Sequence, residues 1–348
     1  MQEHDVVVIG AGPAGLAAAM FTARRGLRTI LVAKDIGGQL ALTDWIENYP
    51  GIARIGGRAL VDAMLAQVQR DGAEMLSGEA IAIQTMEQWN NGTMEHTPGP
   101  NGLPLYDVRL AEGDGLRTRT VILSFGLTPN DLGCDGEARL KGKGLYYSAV
   151  ADAPRQDGKT IAIVGGGNSA VTAALELAPR AAKVYLIHRR SEFRAEKKLL
   201  DRLREHTNVE IRAPFAIVAL EGGAQLERLI LAPTDPHTGT PITDPQLPAP
   251  SSQLPVDSVF VQIGFSAKTK WLDGVVALNA KREVIIDRDC ATSAPGIFAA
   301  GDLTDITYKQ AVVTAGEGVK AALQAFKYLA TAAGKPAVMF DWDAKNDA

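Results

Sequence analysis

An uninterrupted run of apolar residues lies near the start of the sequence, in the segment Asp5–Ile9 (DVVVI). Such a run is typical of a strand that is buried on both faces, as in a parallel sheet. It is followed by Gly10–Gly15 (GAGPAG) and then by a helix-forming run, Leu16–Arg25, which Gly26 ends. The pattern predicts a strand, a tight turn and a helix.

The same order returns in the middle of the chain, where Ile161–Val164 leads into Gly165–Ala170 (GGGNSA) and a helix-forming run, Val171–Ala178. A strand–turn–helix with small residues at this spacing favours dinucleotide binding. The first glycine permits the turn, the second lets the backbone approach a pyrophosphate, and the third small residue keeps helix and strand close. Free N–H groups at the helix start then face the phosphates. The residues concerned are Gly10, Gly12 and Gly15 in the first turn and Gly165, Gly167 and Ala170 in the second.

The strands that follow the two turns end differently. The second module continues with a strand, Lys183–Ile187, which ends at a basic cluster. An arginine cluster at this place suits a 2′-phosphate, whereas an acid would bind a ribose 2′-hydroxyl, so we predict NADPH rather than NADH. The alternative is a solvated basic helix start with Glu192 and Glu196 as partners. The cluster consists of His188, Arg189, Arg190 and Arg194.

In the first module the strand Arg28–Ala33 ends without such a cluster. Ala33 stands where an acid for the ribose of FAD is often found, and Asp35 lies just beyond, so we assign no residue to a ribose contact there. Two modules in one chain suggest two different nucleotides bound facing each other, as in flavoprotein reductases.

Hydrophobic periodicity and turn residues predict the remaining elements. The segments 86–105 and 233–255 are polar or rich in proline and glycine; we expect a long hairpin excursion and a loop, whose roles stay open. The predicted strands are Glu79–Thr85, Tyr106–Leu110, Thr120–Ser124, Val209–Ile217, Leu226–Ala232, Ser258–Ile263, Glu283–Ile286 and a strand within Gly296–Asp302, and the predicted helices are Leu60–Arg70 and Gln310–Ala333.

Composition narrows the class of protein. The chain has 348 residues, enough for two domains, and its formal net charge of −4 argues against a dedicated nucleic-acid binder. Two distant cysteines, Cys134 and Cys290, exclude a disulfide framework and a cysteine-rich metal or iron–sulfur site. The five histidines show no metal-ligand spacing.

The sequence shows no targeting segment and no apolar run long enough to span a membrane, so we expect a cytoplasmic protein without a membrane partner. Asn91-Gly92-Thr93 fits a glycosylation pattern, but without a secretory signal a hairpin turn is the better interpretation.

With these pieces placed, nearly the whole chain resembles the low-molecular-weight thioredoxin reductase family of flavoproteins. The resemblance implies an α/β fold with two Rossmann-like three-layer domains, the NADPH-binding domain (127–267) being inserted into the FAD-binding domain (1–126 and 268–348). It also implies a domain rotation that brings nicotinamide to the flavin, and a homodimer. The matching motifs are GAGPAG at Gly10–Gly15, GGQL at Gly37–Leu40, ENYPG at Glu47–Gly51, GGGNSA at Gly165–Ala170, HRRSEFRA at His188–Ala195, GIFAAGD at Gly296–Asp302 and YKQA at Tyr308–Ala311.

The resemblance also implies the binding residues. It places Asp302 on the ribityl chain of FAD and Gln310-Ala311 at the flavin ring. The FAD residues are Gly10, Gly12, Pro13, Ala14, Gly15, Gly38, Gln39, Leu40, Thr43, Asn48, Gly126, Gly301, Asp302, Gln310 and Ala311. The NADPH residues are Gly165, Gly166, Gly167, Asn168, Ser169, Ala170, His188, Arg189, Arg190 and Arg194.

One departure from the family bears on the reaction. The family carries Cys-Ala-Thr-Cys-Asp before its NADPH turn, whereas this chain has Ser148-Ala149-Val150-Ala151-Asp152. A dithiol relay needs two sulfurs, one to attack the substrate disulfide and one to resolve the mixed disulfide. Ser148 and Ala151 occupy the two cysteine positions, so we expect no thioredoxin reduction by the family's route and no catalytic side-chain acid, base or nucleophile.

Relatives without the cysteine pair are the thioredoxin-reductase-like ferredoxin/flavodoxin–NADP reductases, so the resemblance predicts ferredoxin or flavodoxin as the electron acceptor. This chain keeps the YKQA segment of the thioredoxin reductases, and two alternatives stay open: an oxidase or reductase of quinones or other small molecules, and a redox-inactive nucleotide sensor. In the C-terminal segment, Phe340 or Trp342 covers the flavin or belongs to a frayed tail.

Overall fold

A computed structural model describes residues 3–85, 88–90, 93–95, 102–242 and 252–337. The chain divides into two compact units, one formed by Met1–Thr128 with Ser266–Ala348 and the other by Pro129–Phe265. The α/β fold predicted from the sequence is confirmed. The assignment of the stretches 1–126 with 268–348 to FAD, and of 127–267 to NADPH, stays a prediction.

The strands and helices follow one another in the order β-α-β that the sequence predicts for the start of each unit. The strands are β1 (Glu3–Ala11), β2 (Thr29–Ile36), β3 (Glu74–Ser77), β4 (Ala80–Thr85), β5 (Gln88–Asn90), β6 (Thr93–Glu95), β7 (Tyr106–Leu110), β8 (Leu116–Leu123), β9 (Thr128–Pro129), β10 (Leu145–Tyr146), β11 (Thr160–Val164), β12 (Lys183–Ile187), β13 (Val209–Arg212), β14 (Phe215–Glu221), β15 (Arg228–Pro233), β16 (Ser252–Pro255), β17 (Ser258–Val261), β18 (Phe265–Ser266) and β19 (Ile297–Ala299). The helices are α1 (Pro13–Arg24), α2 (Gly38–Ala41), α3 (Gly57–Arg70), α4 (Glu137–Leu140), α5 (Ala149–Asp152), α6 (Asn168–Leu177), α7 (Lys197–Arg204) and α8 (Ala311–Ala332).

The first unit is built on one sheet with the order β3-β2-β1-β8-β7-β4, with β19 beside β8. Strand β1 is parallel to both β2 and β8, and its successive residues enter different cores. Val6 and Val8 pack with α1, α3 and α8, while Val7 and Ile9 pack into the core on the other face. Burial on both faces explains why the strand has no polar alternation.

The second unit has a parallel sheet with the order β10-β17-β11-β12-β13 and a separate antiparallel sheet, β14-β15-β16. On β11, Ile161 and Ile163 face the core that contains α6 and α7, and Ala162 and Val164 face the core shared with the three-stranded sheet. The parallel sheet is therefore the middle of three layers.

Three predicted elements were wrong. The segment Val209–Ile217 forms two strands, because Pro214 has no N–H to donate to a ladder. The end of the predicted loop 233–255 is β16. Glu283–Ile286 forms no strand: Val284 makes only isolated bridges, and the Asn279 side chain accepts the backbone N–H of Lys281 and Glu283, at 2.9 and 3.0 Å. Such local bonds replace a strand ladder with a turn.

The expected hairpin in the segment 86–105 is confirmed where the chain is described. Strands β5 and β6 pair antiparallel, with Trp89 opposite Met94. Asn91 and Gly92, the predicted turn, lie outside the described residues, and so do Phe340 and Trp342. Whether the C-terminal segment covers a flavin stays a prediction.

Candidate functional site

The turn after β1 requires glycine at two positions. Gly10 has a φ of +105°, and a Cβ there would overlap the backbone of Phe125. A Cβ at Gly15 would overlap the carbonyl oxygen of Gly10. Ser124 Oγ donates to the carbonyl oxygens of Ile9 and Gly10, at 2.9 and 3.0 Å. Strand, turn and helix are thus in direct backbone contact.

Gly12 differs from these two glycines because a Cβ there would meet no described atom within 4 Å. It is the N-cap of α1, with Pro13 at the first turn and no acidic residue there. The backbone N–H groups at such a helix start favour an anion. Open space in front of an uncapped helix start fits a pyrophosphate.

The loop after β2 brings a second glycine pair to the same place. Gly37, with a φ of +97°, donates its N–H to the carbonyl oxygen of Ala11 at 2.8 Å. A Cβ at Gly38 would lie 4.0 Å from the Gly12 Cα. Of the predicted binding residues that follow, Leu40 is buried, while Gln39 and Thr43 are exposed and joined by a bond from Thr43 Oγ1 to the Gln39 carbonyl.

Two predicted flavin residues that are far apart in the sequence meet in the structure. The side chain of Asn48 donates to Gln310 Oε1 at 3.0 Å. Gln310 is the N-cap of α8, which begins at Ala311. The structure therefore joins the ENYPG and YKQA motifs into one site.

Asp302 carries the most direct sign of a missing partner. Its Oδ1 is buried without a hydrogen-bond partner among the described residues. Burial raises the pKa of this carboxyl, and the nearby Lys309 ammonium partly opposes the rise. A buried carboxylate oxygen without a donor is costly, so it fits a bound group that carries hydroxyl donors, such as the ribityl chain of FAD.

Small residues keep α8 close to α1, and also the Asp302 loop, which is the segment 300–310 between β19 and α8. A Cβ at Gly301 would lie 2.9 Å from the Cβ of Ala14, and a Cβ at Gly318 would overlap the Ala14 carbonyl oxygen. Gly126, also a predicted FAD residue, has a φ of +64° and no described atom within 4 Å of a Cβ.

The turn after β11 repeats the first turn with different neighbours. Gly165 has a φ of +150°, and a Cβ there would overlap the Gln262 carbonyl oxygen and lie 2.8 Å from the Ala170 Cβ. Gly167, the N-cap of α6, has no described atom within 4 Å of a Cβ. Asn168 and Ser169 are exposed at the helix start, which leaves room for a second pyrophosphate.

His188 packs directly against this turn. A Cβ at Gly166 would overlap the imidazole ring, which is 8% exposed. Nε2 lies 3.1 Å from the carbonyl oxygen of Glu192, so it carries the proton. Burial lowers the pKa of His188, and the neighbouring arginine charges lower it further, against a rise from the Glu192 bond.

The basic segment, His188–Ala195, is joined to the Gly165–Ala170 turn by backbone hydrogen bonds. The N–H groups of Arg194 and Ala195 donate to the Gly166 carbonyl oxygen, at 2.8 and 3.0 Å. Asn168 and Glu196 exchange two hydrogen bonds of 2.9 and 2.8 Å. In the described part of the chain, no ion pair joins the three arginines to Glu192 or Glu196, which does not support the alternative of a solvated helix start.

The segment that replaces the family's dithiol begins at Ser148 and continues as α5. The cysteines elsewhere are free thiols in different units. Burial raises the pKa of half-buried Cys134 to about 11. Burial also raises the pKa of Cys290, whose Sγ lies 3.2 Å from Glu317 Oε2. Thiols of this kind stay protonated at neutral pH and are poor nucleophiles.

Sequence reasoning missed two supports of the site. Lys309 donates to the carbonyl oxygens of Asp302 and Thr304, at 2.7 and 2.9 Å, and pairs with Glu283 at 3.0 Å. The position of Lys309 within the YKQA motif indicated that this residue belongs near the site, but nothing in the sequence around Glu283 indicated the ion pair with Lys309. The second support is the turn 234–241, which contacts Arg189 and Arg190.

Two negative findings hold for the described residues alone. They contain no group of three or more His, Cys, Asp or Glu side chains suited to a metal ion. Their helices include none with the length and apolarity needed to cross a membrane.

Curated relatives of this chain include alkyl hydroperoxide reductase subunits F. The protein of Pseudomonas putida is 36% identical over 332 residues, which cover 94% of this chain and 58% of that protein. The protein of Escherichia coli (strain K12) is 33% identical over 330 residues, with the same coverage. The chain thus spans 58% of the length of these two relatives.

Solved structures with a similar fold are thioredoxin reductases. The enzyme of Lactococcus lactis has a TM-score of 0.71 and 26% identity, with 94% of this chain and 99% of that one covered. The enzyme of T. acidophilum has a TM-score of 0.69 and 25% identity, with 95% and 99% covered. These likenesses confirm the predicted thioredoxin reductase-like fold.

The family model of pyridine nucleotide-disulphide oxidoreductases matches residues 4–318. This family and the thioredoxin reductase neighbours are FAD- and NADPH-dependent, which confirms the predicted cofactors. The match shows that the chain belongs to the pyridine nucleotide-disulphide oxidoreductase family of flavoproteins.

Proposed function

We propose that this protein is a cytoplasmic FAD-dependent NADPH oxidoreductase without a redox dithiol, which passes electrons to ferredoxin or flavodoxin. The observation that carries the proposal is a pair of glycine-rich turns with room for a pyrophosphate, in a chain whose segment Ser148–Asp152 contains no cysteine. An acceptor must then meet the flavin directly.

The first unit supplies the FAD site. The α1 start, from Gly12 and Pro13 to Gly15, is proposed to hold the pyrophosphate. Gly38 is proposed to lie beside it, with Gln39 and Leu40 in the short helix α2 and Thr43 just after that helix. Asp302 Oδ1 is proposed to accept hydrogen bonds from ribityl hydroxyls, while Lys309 holds the backbone carbonyl oxygens of Asp302 and Thr304. Asn48, Gln310 and Ala311 are proposed to lie at the flavin ring. These residues would hold FAD, which would supply the capacity to accept a hydride from NADPH and to pass electrons on singly or as a pair.

The second unit supplies the NADPH site. The α6 start, with Gly167, Asn168 and Ser169, is proposed to hold the pyrophosphate. Arg189, Arg190 and Arg194 are proposed to bind the 2′-phosphate, because guanidinium groups offer several fixed donors to phosphate oxygens. The neutral His188 ring fills the space beside Gly166 and fixes the start of the basic segment.

No side chain is proposed as an acid, base or nucleophile. Burial raises the pKa of Cys134 and of Cys290, so both thiols are protonated at neutral pH and do not supply the thiolate that a dithiol relay needs. The chain's residues bind and orient the two nucleotides. The names of the relatives point to disulfide or peroxide chemistry, but neither thioredoxin reduction nor peroxide reduction through a resident dithiol is proposed for this chain.

The test uses the full chain loaded with FAD, under anaerobic conditions. We expect NADPH to bleach the flavin rapidly, and cytochrome c to be reduced only after ferredoxin or flavodoxin is added. Thioredoxin should stay oxidised, with the Lactococcus lactis thioredoxin reductase as the positive control.

Other outcomes identify the alternatives. If NADPH is consumed rapidly with oxygen or a quinone, and without ferredoxin or flavodoxin, the acceptor is a small molecule. A flavin that stays oxidised in excess NADPH would show a nucleotide sensor. Turnover of thioredoxin would contradict the dithiol-free route. The proposed homodimer is tested separately by sedimentation of the same sample.

A further inference from the structure

The turn 234–241, from Thr234 to Pro241, is a self-supporting structure in the second unit. Asp235 N–H donates to the Thr240 carbonyl at 2.9 Å, and Gly239 N–H donates to the Asp235 carbonyl at 2.8 Å. Asp235 Oδ1 accepts the N–H groups of His237 and Thr238, at 3.0 and 2.7 Å. A turn closed by four internal bonds has a defined shape before any ligand arrives.

This turn is fastened to the backbone of the basic segment. Thr234, which is 2% exposed, donates its hydroxyl to the Arg189 carbonyl oxygen at 2.6 Å. The N–H of Ser191 donates to the Pro236 carbonyl oxygen at 3.0 Å. The backbone on both sides of Arg190 is therefore fixed by the turn.

The same turn contacts the arginine side chains. The Thr238 carbonyl oxygen accepts Nε–H of Arg190 at 3.3 Å. The stem of Arg189 lies on Gly239, where a Cβ would be 2.8 Å from Cγ and 3.0 Å from Cδ. In the part of the chain that the structure describes, no residue takes a hydrogen bond from the Arg189 guanidinium or from the Nη groups of Arg190. Each side chain is positioned while donors remain for a ligand.

We propose that the turn 234–241 is a specificity-determining element for the nicotinamide nucleotide, which holds Arg189 and Arg190 ready for the 2′-phosphate. The inference rests on the proposed NADPH site. A long side chain that is already positioned loses less rotamer freedom on binding, and for each arginine this is a gain of roughly three- to tenfold in affinity. NAD, which lacks the phosphate, does not benefit.

The experiment measures dissociation constants of NADP⁺ and NAD⁺ for the FAD-loaded full chain by calorimetry. Gly239→Ala adds a methyl group against the Arg189 stem, and Thr234→Val removes the hydroxyl donor. Each variant is expected to weaken NADP⁺ by roughly three- to tenfold and NAD⁺ by less than about twofold. The matched control is Gly142→Ala, whose φ of +73° resembles the +75° of Gly239 but whose Cβ would meet no described atom within 4 Å. It should leave both constants unchanged.

A double variant, Arg189→Ala with Arg190→Ala, separates the two proposals. If it weakens both nucleotides equally, the 2′-phosphate assignment itself is wrong. If it weakens NADP⁺ selectively while Gly239→Ala and Thr234→Val do not, only the role of the turn is overturned. If Gly239→Ala and Thr234→Val weaken the binding of both nucleotides equally, the role of the turn is likewise overturned. Should Gly239→Ala fail to fold, Thr234→Val decides.

Discussion

The two nucleotide-binding turns share a backbone plan but differ in what surrounds them. Around Gly10–Gly15 lie the Gly37–Gly38 loop, the Asp302 loop and α8, which contacts α1 through Gly318. Around Gly165–Ala170 lie His188 and the segment Arg194–Glu196, with exposed Asn168 and Ser169 at the helix start.

This difference matches the two roles proposed for the nucleotides. A group enclosed by several segments exchanges slowly, as suits a resident FAD. A group held at one open helix start and by arginines exchanges readily, as suits NADPH, which must leave after each turnover. In the proposed function, the same glycine turn serves as a cofactor site in one unit and as a substrate site in the other, according to its neighbours.

The largest expected effect concerns the third small position of each turn. Gly15→Ala places a methyl group on the carbonyl oxygen of Gly10, an overlap that requires the backbone at one of these two residues to move. The variant should be destabilised by about 3 kcal/mol and should not retain FAD. The matched change Ala170→Gly only removes a buried methyl group and adds flexibility, for about 1 kcal/mol. Chemical unfolding and the flavin absorbance of purified protein measure both. Similar losses for the two variants would contradict the steric account of Gly15.

The second position should separate binding from folding. Gly12→Val and Gly167→Val put side chains where only a pyrophosphate is expected, at φ values of −73° and −98° that any residue adopts. We expect unchanged unfolding of the apoprotein for both. Gly12→Val should weaken FAD, and Gly167→Val should weaken NADP⁺, by at least about tenfold, or 1.4 kcal/mol. If Gly12→Val weakened the binding of NADP⁺ and Gly167→Val weakened the binding of FAD, the assignment of the two sites would be wrong.

Asp302→Asn tests the enclosed site alone. Burial raises the pKa of the Asp302 carboxyl in the folded apoprotein, so ionisation of this group opposes folding. The stabilisation that comes from its protonated form is present below the unfolded pKa and is lost as pH rises through the folded pKa. At neutral pH the variant apoprotein should therefore melt higher than the parent, and the difference should vanish in acid. FAD should bind roughly ten- to a hundredfold more weakly, because a charged hydrogen-bond acceptor is lost.

Calorimetric melting of the apoprotein and fluorescence titration with FAD measure these two effects of Asp302→Asn. Asp305→Asn, a change at an exposed carboxylate of the same loop, is the control. A lower melting temperature at neutral pH in the Asp302 variant would show that the carboxylate has a partner in solution.

The smallest effect concerns the open site. The pKa of His188 is lowered chiefly by burial, so its stabilising contribution is present above the unfolded pKa and is lost as pH falls through the folded value. Below about pH 6.5 the parent should lose stability faster than His188→Gln, by about 1–2 °C in melting temperature. The two proteins differ only at residue 188, so the difference between their melting curves isolates His188. Parallel melting curves would contradict a buried, neutral imidazole.

Much of this architecture could be predicted because local sequence fixes it. The glycines of the two turns, the continuous apolar strands and the arginines after β12 are short-range patterns, and the absence of cysteine at Ser148 and Ala151 is plain from the residues alone. The predicted strand Val209–Ile217 is interrupted because Pro214 has no N–H for the ladder. Glu283–Ile286 forms no strand because the Asn279 side chain accepts backbone N–H groups of this segment. Hydrophobic periodicity registers neither effect.

The tertiary structure alone decided which distant residues meet. Asn48 reaches Gln310 across 262 positions, Lys309 joins Glu283 to the Asp302 loop, and the turn 234–241 fastens the arginines. The sequence determined that the chain has two glycine-rich turns between a strand and a helix, and no cysteine pair at Ser148 and Ala151, because those features depend on residue type and spacing. Packing determined which segments surround each turn, because those segments are distant in the sequence and are brought together only by the folded core.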